Sequence, residues 1–308
     1  MHAARFRFNS AGRCRCIEKR QTFNLVTPPM PGQINTENSQ FKIEPQRGRV
    51  EIKLNGFTLA ESSNTLLLIE TWAPDIYIPL ADVKTEFLSK SPRSTAASAK
   101  HICLWTAHID EHIVHDLMWT CTPANSKYDR LADHVAFVFD KVETFIDGKP
   151  VRGHVRDPHK VIATEPLHSN LKINHRGVNL VDTNAAVVLH ETGLPARYYV
   201  PKCDVAMQYL SASTHQSVCT YKGEAIYFHI TCANATLENA VWSYSHPWID
   251  FSADVNDIRG LLAFYTSSFD QVLIDDTELV ADDASRQTDE NMQQHPTIDQ
   301  TLKRKLVG

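Results

Sequence analysis

Residues 49–61 read RVEIKLNGFTLAE: apolar and polar side chains alternate, break at Asn55-Gly56, then resume. A period of two sends successive side chains to opposite faces, so the run reads as a half-buried strand. Asn-Gly supplies the two positive φ angles of a type I′ turn, and the expectation is a β-hairpin. Residues 170–182, NLKINHRGVNLVD, repeat the pattern with Arg176-Gly177 in the place of Asn55-Gly56. The same offset of 121 pairs Glu61 with Asp182, Glu70-Thr71 with Glu191-Thr192, and Pro74 with Pro195. At 122 it pairs Tyr77 with Tyr199, Pro79 with Pro201, Asp82-Val83 with Asp204-Val205, Lys100 with Lys222 and Trp105 with Tyr227. Trp119 meets Trp242 at 123, and Ala136-Phe137 meets Ala263-Phe264 at 127. A register that drifts by such small steps across a whole unit is the mark of a duplication.

The pattern therefore predicts a mainly β chain with little helix, built as two tandem copies of a small β-rich domain. The first copy runs over residues 41–150 and the second over 164–280, each of single-domain length, with 151–163 as linker. The Asp-Val stretches after Pro79 and Pro201 read as one or two helical turns. Residues 1–40 are basic, and residues 281–308 are polar and acidic until Lys303-Arg304-Lys305. Both are expected to be disordered.

Composition narrows the partners. A net charge of −5 over 308 residues gives no reason to expect a nucleic-acid or anionic-membrane partner. No apolar run approaches the roughly 18 residues of a membrane-spanning helix. Seven cysteines are scattered without a CxxC pair, which fits a reducing compartment and argues against a zinc ribbon. The cytoplasm is the expected location. The Arg-rich, acid-poor start (Arg5, Arg7, Arg13, Arg15, Lys19 and Arg20 against Glu18) keeps a mitochondrial address as the alternative.

The densest motifs lie in the second copy. ETGLPARYYVPKCDV spans 191–205, CTYKGEAIY spans 219–227, and AVWSY spans 240–244. Together with Arg156-Asp157-Pro158 in the linker, they resemble the domain of unknown function 427 family, in particular its two-copy members. The resemblance covers about residues 45–276 and implies small twisted sheets around a pocket, near the Mss4-like β-tents. The family is also labelled nucleotidyltransferase-like. That chemistry needs a Gly-Ser turn for phosphates and an Asp-x-Asp pair for magnesium. This chain has no Gly-Ser dipeptide, and Asp275-Asp276 and Asp282-Asp283 have the wrong spacing.

Within these motifs Lys222 stands before Gly223, where backbone must approach something closely. It reads as an anion clamp or a lowered-pKa base, or else as half of a buried ion pair with Glu191. Glu191 follows an apolar run, where a carboxylate needs a partner. Arg197 and Tyr198 lack a clean counterpart in the first copy and read as ligand contacts, with Tyr199 and Tyr221 walling the same place. Cys219, opposite Ala97, reads either as a thiolate nucleophile assisted by Lys222 or as an inert buried thiol. Trp72 and His101 stand where the second copy has Gly193 and Gly223, so the first pocket is expected to be filled. His108, His112 and His115 have helical spacing for zinc, but the repeat aligns them with a strand–turn–strand, so no metal is expected. Trp119, Trp242, Phe137 and Phe264 recur in both copies and read as core.

The expected protein is an enzyme acting on a small polar or anionic metabolite in its second copy. Lys222, Glu191 and Cys219 are the candidate catalytic residues, and Arg197, Tyr198, Tyr199, Tyr221 and Gly223 the candidate ligand contacts. A non-catalytic binding module and a nucleotidyltransferase-like activity stand as alternatives. The motifs name no cofactor and no oligomeric state.

Overall fold

A computed structural model describes residues 7–8, 14–15, 41–70, 73–91, 101–109, 111–122 and 126–279. Of the amino-terminal segment it describes only a two-rung antiparallel ladder, Arg7–Phe8 (β1) against Cys14–Arg15 (β2). The rest of residues 1–40, and all of 281–308, lie outside the described residues. So do Trp72, Ala97 and Lys100. The chain divides into two compact units, one ending at His159 and the next beginning at Lys160.

The strands of the first unit are Lys42–Pro45 (β3), Val50–Leu54 (β4), Phe57–Ser62 (β5), Leu66–Ile69 (β6), Asp75–Pro79 (β7), Leu88–Lys90 (β8), His101–Ile109 (β9), His112–Thr122 (β10), His134–Phe137 (β11), Glu143–Ile146 (β12) and Lys149–Pro150 (β13). They form a seven-stranded sheet, β3-β6-β7-β11-β10-β9-β8, and a four-stranded sheet, β13-β12-β4-β5. The second unit has Ile162–Pro166 (β14), Leu171–His175 (β15), Val178–Thr183 (β16), Val187–Glu191 (β17), Arg197–Val200 (β18), Leu210–Cys219 (β19), Gly223–Cys232 (β20), Ala235–Ser243 (β21), Leu262–Phe264 (β22), Gln271–Ile274 (β23) and Thr277–Glu278 (β24). Its seven-stranded sheet, β14-β17-β18-β22-β21-β20-β19, has the same order as the first, and β16-β15-β23-β24 form the smaller sheet. The fold is mainly β and built twice.

Local chemistry explains the shared features. Asn55 and Gly56 take φ of 52° and 80°, and Arg176 and Gly177 take 49° and 74°, so both hairpins turn as the sequence predicts. The stretches after Pro79 and Pro201 become short 3-10 turns, Leu80–Asp82 with Thr85–Phe87 and Lys202–Asp204 with Met207–Tyr209. His108 lies on β9, with His112 and His115 on β10, in one antiparallel hairpin rather than on a helix. Among the described residues no group of three or more His, Cys, Asp or Glu is placed to hold a metal. No helix there is long and apolar enough to cross a membrane.

Each large sheet buries both faces. In the second unit one face packs on the small sheet through Leu171, Ile173, Leu180, Val200, Val241 and Phe264. The opposite face carries Tyr199, Tyr221, Tyr227, Trp242, Tyr244 and Tyr265 above the 3-10 segment Ala253–Ile258. The equivalent face of the first unit is apolar around Tyr77 and Trp119, with Leu68, Leu131, Ala136 and Val138. In both units the Trp indole donates to the Tyr hydroxyl at 3.3 Å, Trp119 to Tyr77 and Trp242 to Tyr199.

The ladders correct one pairing read from the sequence. Trp119 lies opposite Leu104, and Trp242 lies opposite Tyr227. The counterpart of Tyr227 is therefore Leu104, and Trp105 matches Phe228. A one-residue slip exchanges the two faces of a strand, and Trp105 does pack in the other core. At this offset of 123 it is Glu224, not Gly223, that falls on His101.

Candidate functional site

The candidate site forms on the aromatic face of the second unit because strand period selects its members. Glu191 ends β17 on the same face as Leu189 and Val187, and Arg197 and Tyr199 take alternate positions on β18. Tyr198 lies between them and points to the opposite face, where it packs against the core shared with the small sheet. The ladder also supplies its counterpart, because Tyr198 stands across from Val188 as Ile76 stands across from Leu67. Tyr198 is a packing residue, apart from the other candidates.

Lys222 and Tyr221 sit in a three-residue turn, Thr220 to Lys222, between β19 and β20. All three are buried, an unusual place for a hairpin tip. The segment after β21 covers them: the Trp248 amide donates to the Lys222 carbonyl at 3.0 Å, and Phe251 meets the Tyr221 ring edge-on at 4.8 Å. Gly223 takes a φ of +108°, and an added Cβ would stand 3.3 Å from the Trp248 ring and backbone. The close approach that this glycine permits is to Trp248 of its own unit. Gly193, by contrast, has open space beside it and serves a turn at φ +75°.

The Lys222 ammonium donates to Glu191 Oε2, and both side chains are over nine-tenths buried. Lys160 shares that carboxylate, with its Nζ 3.7 Å from Glu191 Oε1 and donating to the Thr192 carbonyl at 2.6 Å. Burial alone would strip charge from both partners. Against it, the field of Cys219 and then that of Glu191 hold Lys222 well above the ordinary lysine range. For Glu191 burial is likewise overcome, by Lys222 and then Lys160, and its carboxyl lies below the ordinary value. Cys219 ends β19 half-buried, opposite Gly223.

Tyr199 is the centre of the group. Burial pushes its phenol up to about 12, while Lys222, Cys219 and Arg197 all act on it electrostatically. The Arg197 guanidinium is buried over two rings, 5.9 Å from the Trp242 centroid and 5.8 Å from that of Tyr265. Tyr227 is bonded to Ser217 at 2.8 Å, and burial raises its phenol too. The structure thus brings together Glu191, Arg197, Tyr199, Cys219, Tyr221 and Lys222. It adds Lys160, Tyr227, Tyr244 and Tyr265, which the sequence reading did not assign to the site.

A family model described as Domain of unknown function (DUF427) matches residues 42–148 and again residues 163–275. The chain belongs to this family. A search of the curated proteins finds no match.

With two DUF427 copies in one chain, each serves as the other's control. The first copy keeps the Trp–Tyr bond and a carboxylate, Glu70, which accepts the Tyr128 hydroxyl. It has Asp75 where the ladder puts Arg197, Leu104 for Tyr227 and Val138 for Tyr265. The scaffold does not require those polar groups, since the same strands form without them. The signal was present in the sequence, and only the replacement of Leu104 by Tyr227 needed the corrected register.

One stability prediction arises here. Gly223→Ala should destabilise the second unit by about 1–3 kcal/mol, because alanine is strained at this φ and its methyl meets Trp248. Gly177→Ala, at a φ of +74° and with open space around it, should cost less. Chemical denaturation of the two variants checks the order.

Proposed function

We propose that the second DUF427 copy is an enzyme site for a small polar or anionic molecule, with Cys219 as its reacting thiol. The observation that carries this is the gathering of Lys222, Arg197, Cys219 and buried phenols around Tyr199, on strands that the first copy builds with Asp75, Leu104 and Val138. Residues absent from one of two equivalent scaffolds serve something other than the scaffold.

The charge states divide the roles. Lys222 stays an ammonium, so it acts as a fixed cation for the ligand and for the thiol, not as a base or a Schiff-base amine. Glu191 is engaged by two ammoniums, which makes it the anchor of Lys222 rather than the reacting group. The phenols remain protonated and offer donors. Cys219 is left as the nucleophile, packed against the aromatic cluster and coupled electrostatically to Lys222. Free thiols at Cys103, Cys203, Cys219 and Cys232 suit a reducing compartment, and the cytoplasm goes with this reading. A non-catalytic anion-binding module is the second reading, favoured by the Lys222–Glu191 pair, which holds charge without offering a general base.

Reactivity separates the two. After a short pulse of iodoacetamide, peptide mapping should find Cys219 modified before exposed Cys203 and buried Cys232. Lys222→Met should slow the labelling of Cys219, because the ammonium and the sulfur act on each other electrostatically. Labelling of Cys219 no faster than Cys203, or indifferent to Lys222, leaves only the binding module.

A further inference from the structure

Two phenols in this cluster have hydroxyls that the protein leaves unused. Tyr244 is 4% exposed, and its hydroxyl has no hydrogen-bond partner among the described residues. The Tyr199 hydroxyl accepts from Trp242, which leaves its own proton without an acceptor among those residues. The Tyr244 hydroxyl is not one of the side-chain atoms sealed from solvent without a partner, so it faces space that water or a ligand can enter. Lys222 adds further capacity, since an ammonium has three N–H donors and Glu191 takes one.

Tyr199, Tyr221 and Tyr244 belong to one buried cluster against which Cys219 packs, and Lys222, next in the chain to Tyr221, is held there by Glu191. Cys219 acts electrostatically on Tyr199, Tyr244 and Lys222 alike. Both phenols are held protonated, chiefly by burial, so at neutral pH each presents an O–H and not a negative charge. The first copy keeps Tyr77 and Trp119 but has Cys121 where the ladder places Tyr244. The Tyr–Trp bond therefore belongs to the scaffold, and the second free phenol does not.

We infer that Tyr199, Tyr244 and Lys222 form an oxyanion site beside Cys219 and that its ligand class is the small carboxylates. Two neutral O–H donors, an ammonium already shared with Glu191 and the Arg197 guanidinium stacked over Trp242 and Tyr265 suit a single negative charge. A phosphate dianion would call for more cationic charge than this. The inference rests on the cluster being a small-molecule site, but it does not require the thiol to react.

The full-length protein is titrated with propionate, with neutral propionamide and with inorganic phosphate, following the thermal unfolding of the second unit. Propionate should raise its midpoint and slow iodoacetamide labelling of Cys219, while propionamide does neither. Tyr244→Phe should weaken the propionate response about tenfold, the worth of one hydrogen bond to a charged group. Propionamide acting as well as propionate overturns the oxyanion site, and that comparison needs no variant. An unchanged response in Tyr244→Phe overturns it equally, and a preference for phosphate overturns the carboxylate class. If propionate binds through Tyr244 while Cys219 proves unreactive, the enzyme reading falls and the oxyanion site stands.

Discussion

Glu191→Gln should lower the stability of the second unit by about 3–5 kcal/mol, the usual result of removing one partner from a buried ion pair. The substitution leaves the Lys222 ammonium buried without a counter-charge and strands Lys160 beside it. In a domain of this size the unfolding midpoint should fall by more than about 10 °C. Glu70→Gln in the first copy is the control. Glu70 accepts from a neutral donor, the Tyr128 hydroxyl, so losing its charge should cost less than at Glu191. Replacing both partners at once, as Glu191→Leu with Lys222→Met, should restore most of the lost stability, because the desolvation penalty disappears with the charges.

The pH dependence follows with its sign. Glu191 is depressed in the folded state. Its stabilisation is therefore complete above the unfolded carboxylate value of about 4.3 and is lost as pH falls through the lower folded value. Lys222 is raised. Its contribution is present below the unfolded value of about 10.4 and is lost as pH rises through the folded one. Glu191→Gln should flatten the acid limb of the stability curve, and a limb unchanged by it would show that other carboxylates set it.

Much of this was readable from the sequence. Turns declare themselves through positive-φ residues, which is why Asn55-Gly56 and Arg176-Gly177 fixed two hairpins and the repeat together. The pair Lys222–Glu191 was anticipated as one of two readings, because a carboxylate after Val187-Val188-Leu189 has to find a cation. What failed was register in the long strands. Pairing Trp105 with Tyr227 was off by one, and in a strand one residue is the whole difference between the aromatic face and the opposite core. That slip hid Tyr227 as the replacement of Leu104, whereas the offsets of 123 at Trp119 and 127 at Ala136 already set Tyr244 on Cys121 and Tyr265 on Val138. Tyr198 was misassigned for a related reason. Neighbours in Arg197-Tyr198-Tyr199 look like one motif, yet alternation divides them. Gly223 did mark a close approach, but the sequence could not say that Trp248, 25 residues on, was the neighbour.

Arg197→Met should leave the second unit folded within a few degrees of the native midpoint and weaken the propionate response about 10- to 100-fold. The first half follows from packing. Methionine fills a similar volume, and its thioether packs favourably on aromatic rings such as Trp242 and Tyr265. The first copy carries Asp75 on the equivalent rung, so this fold does not depend on a guanidinium there. The second half follows from charge. With Glu191 committed to Lys222 and Lys160, Arg197 is the further buried cation acting on the Tyr199 hydroxyl. A charge-assisted hydrogen bond is worth about 1.5–3 kcal/mol, which corresponds to that range of affinity. Arg197→Lys refines the test, since it keeps the charge but loses the planar stack and the forked donors. It should fall between the native protein and Arg197→Met in propionate response. If Arg197→Met instead unfolds the unit as severely as Glu191→Gln, while the remaining folded fraction responds normally to propionate, then Arg197 is a scaffold residue. The ligand's charge would then be met by Lys222 alone.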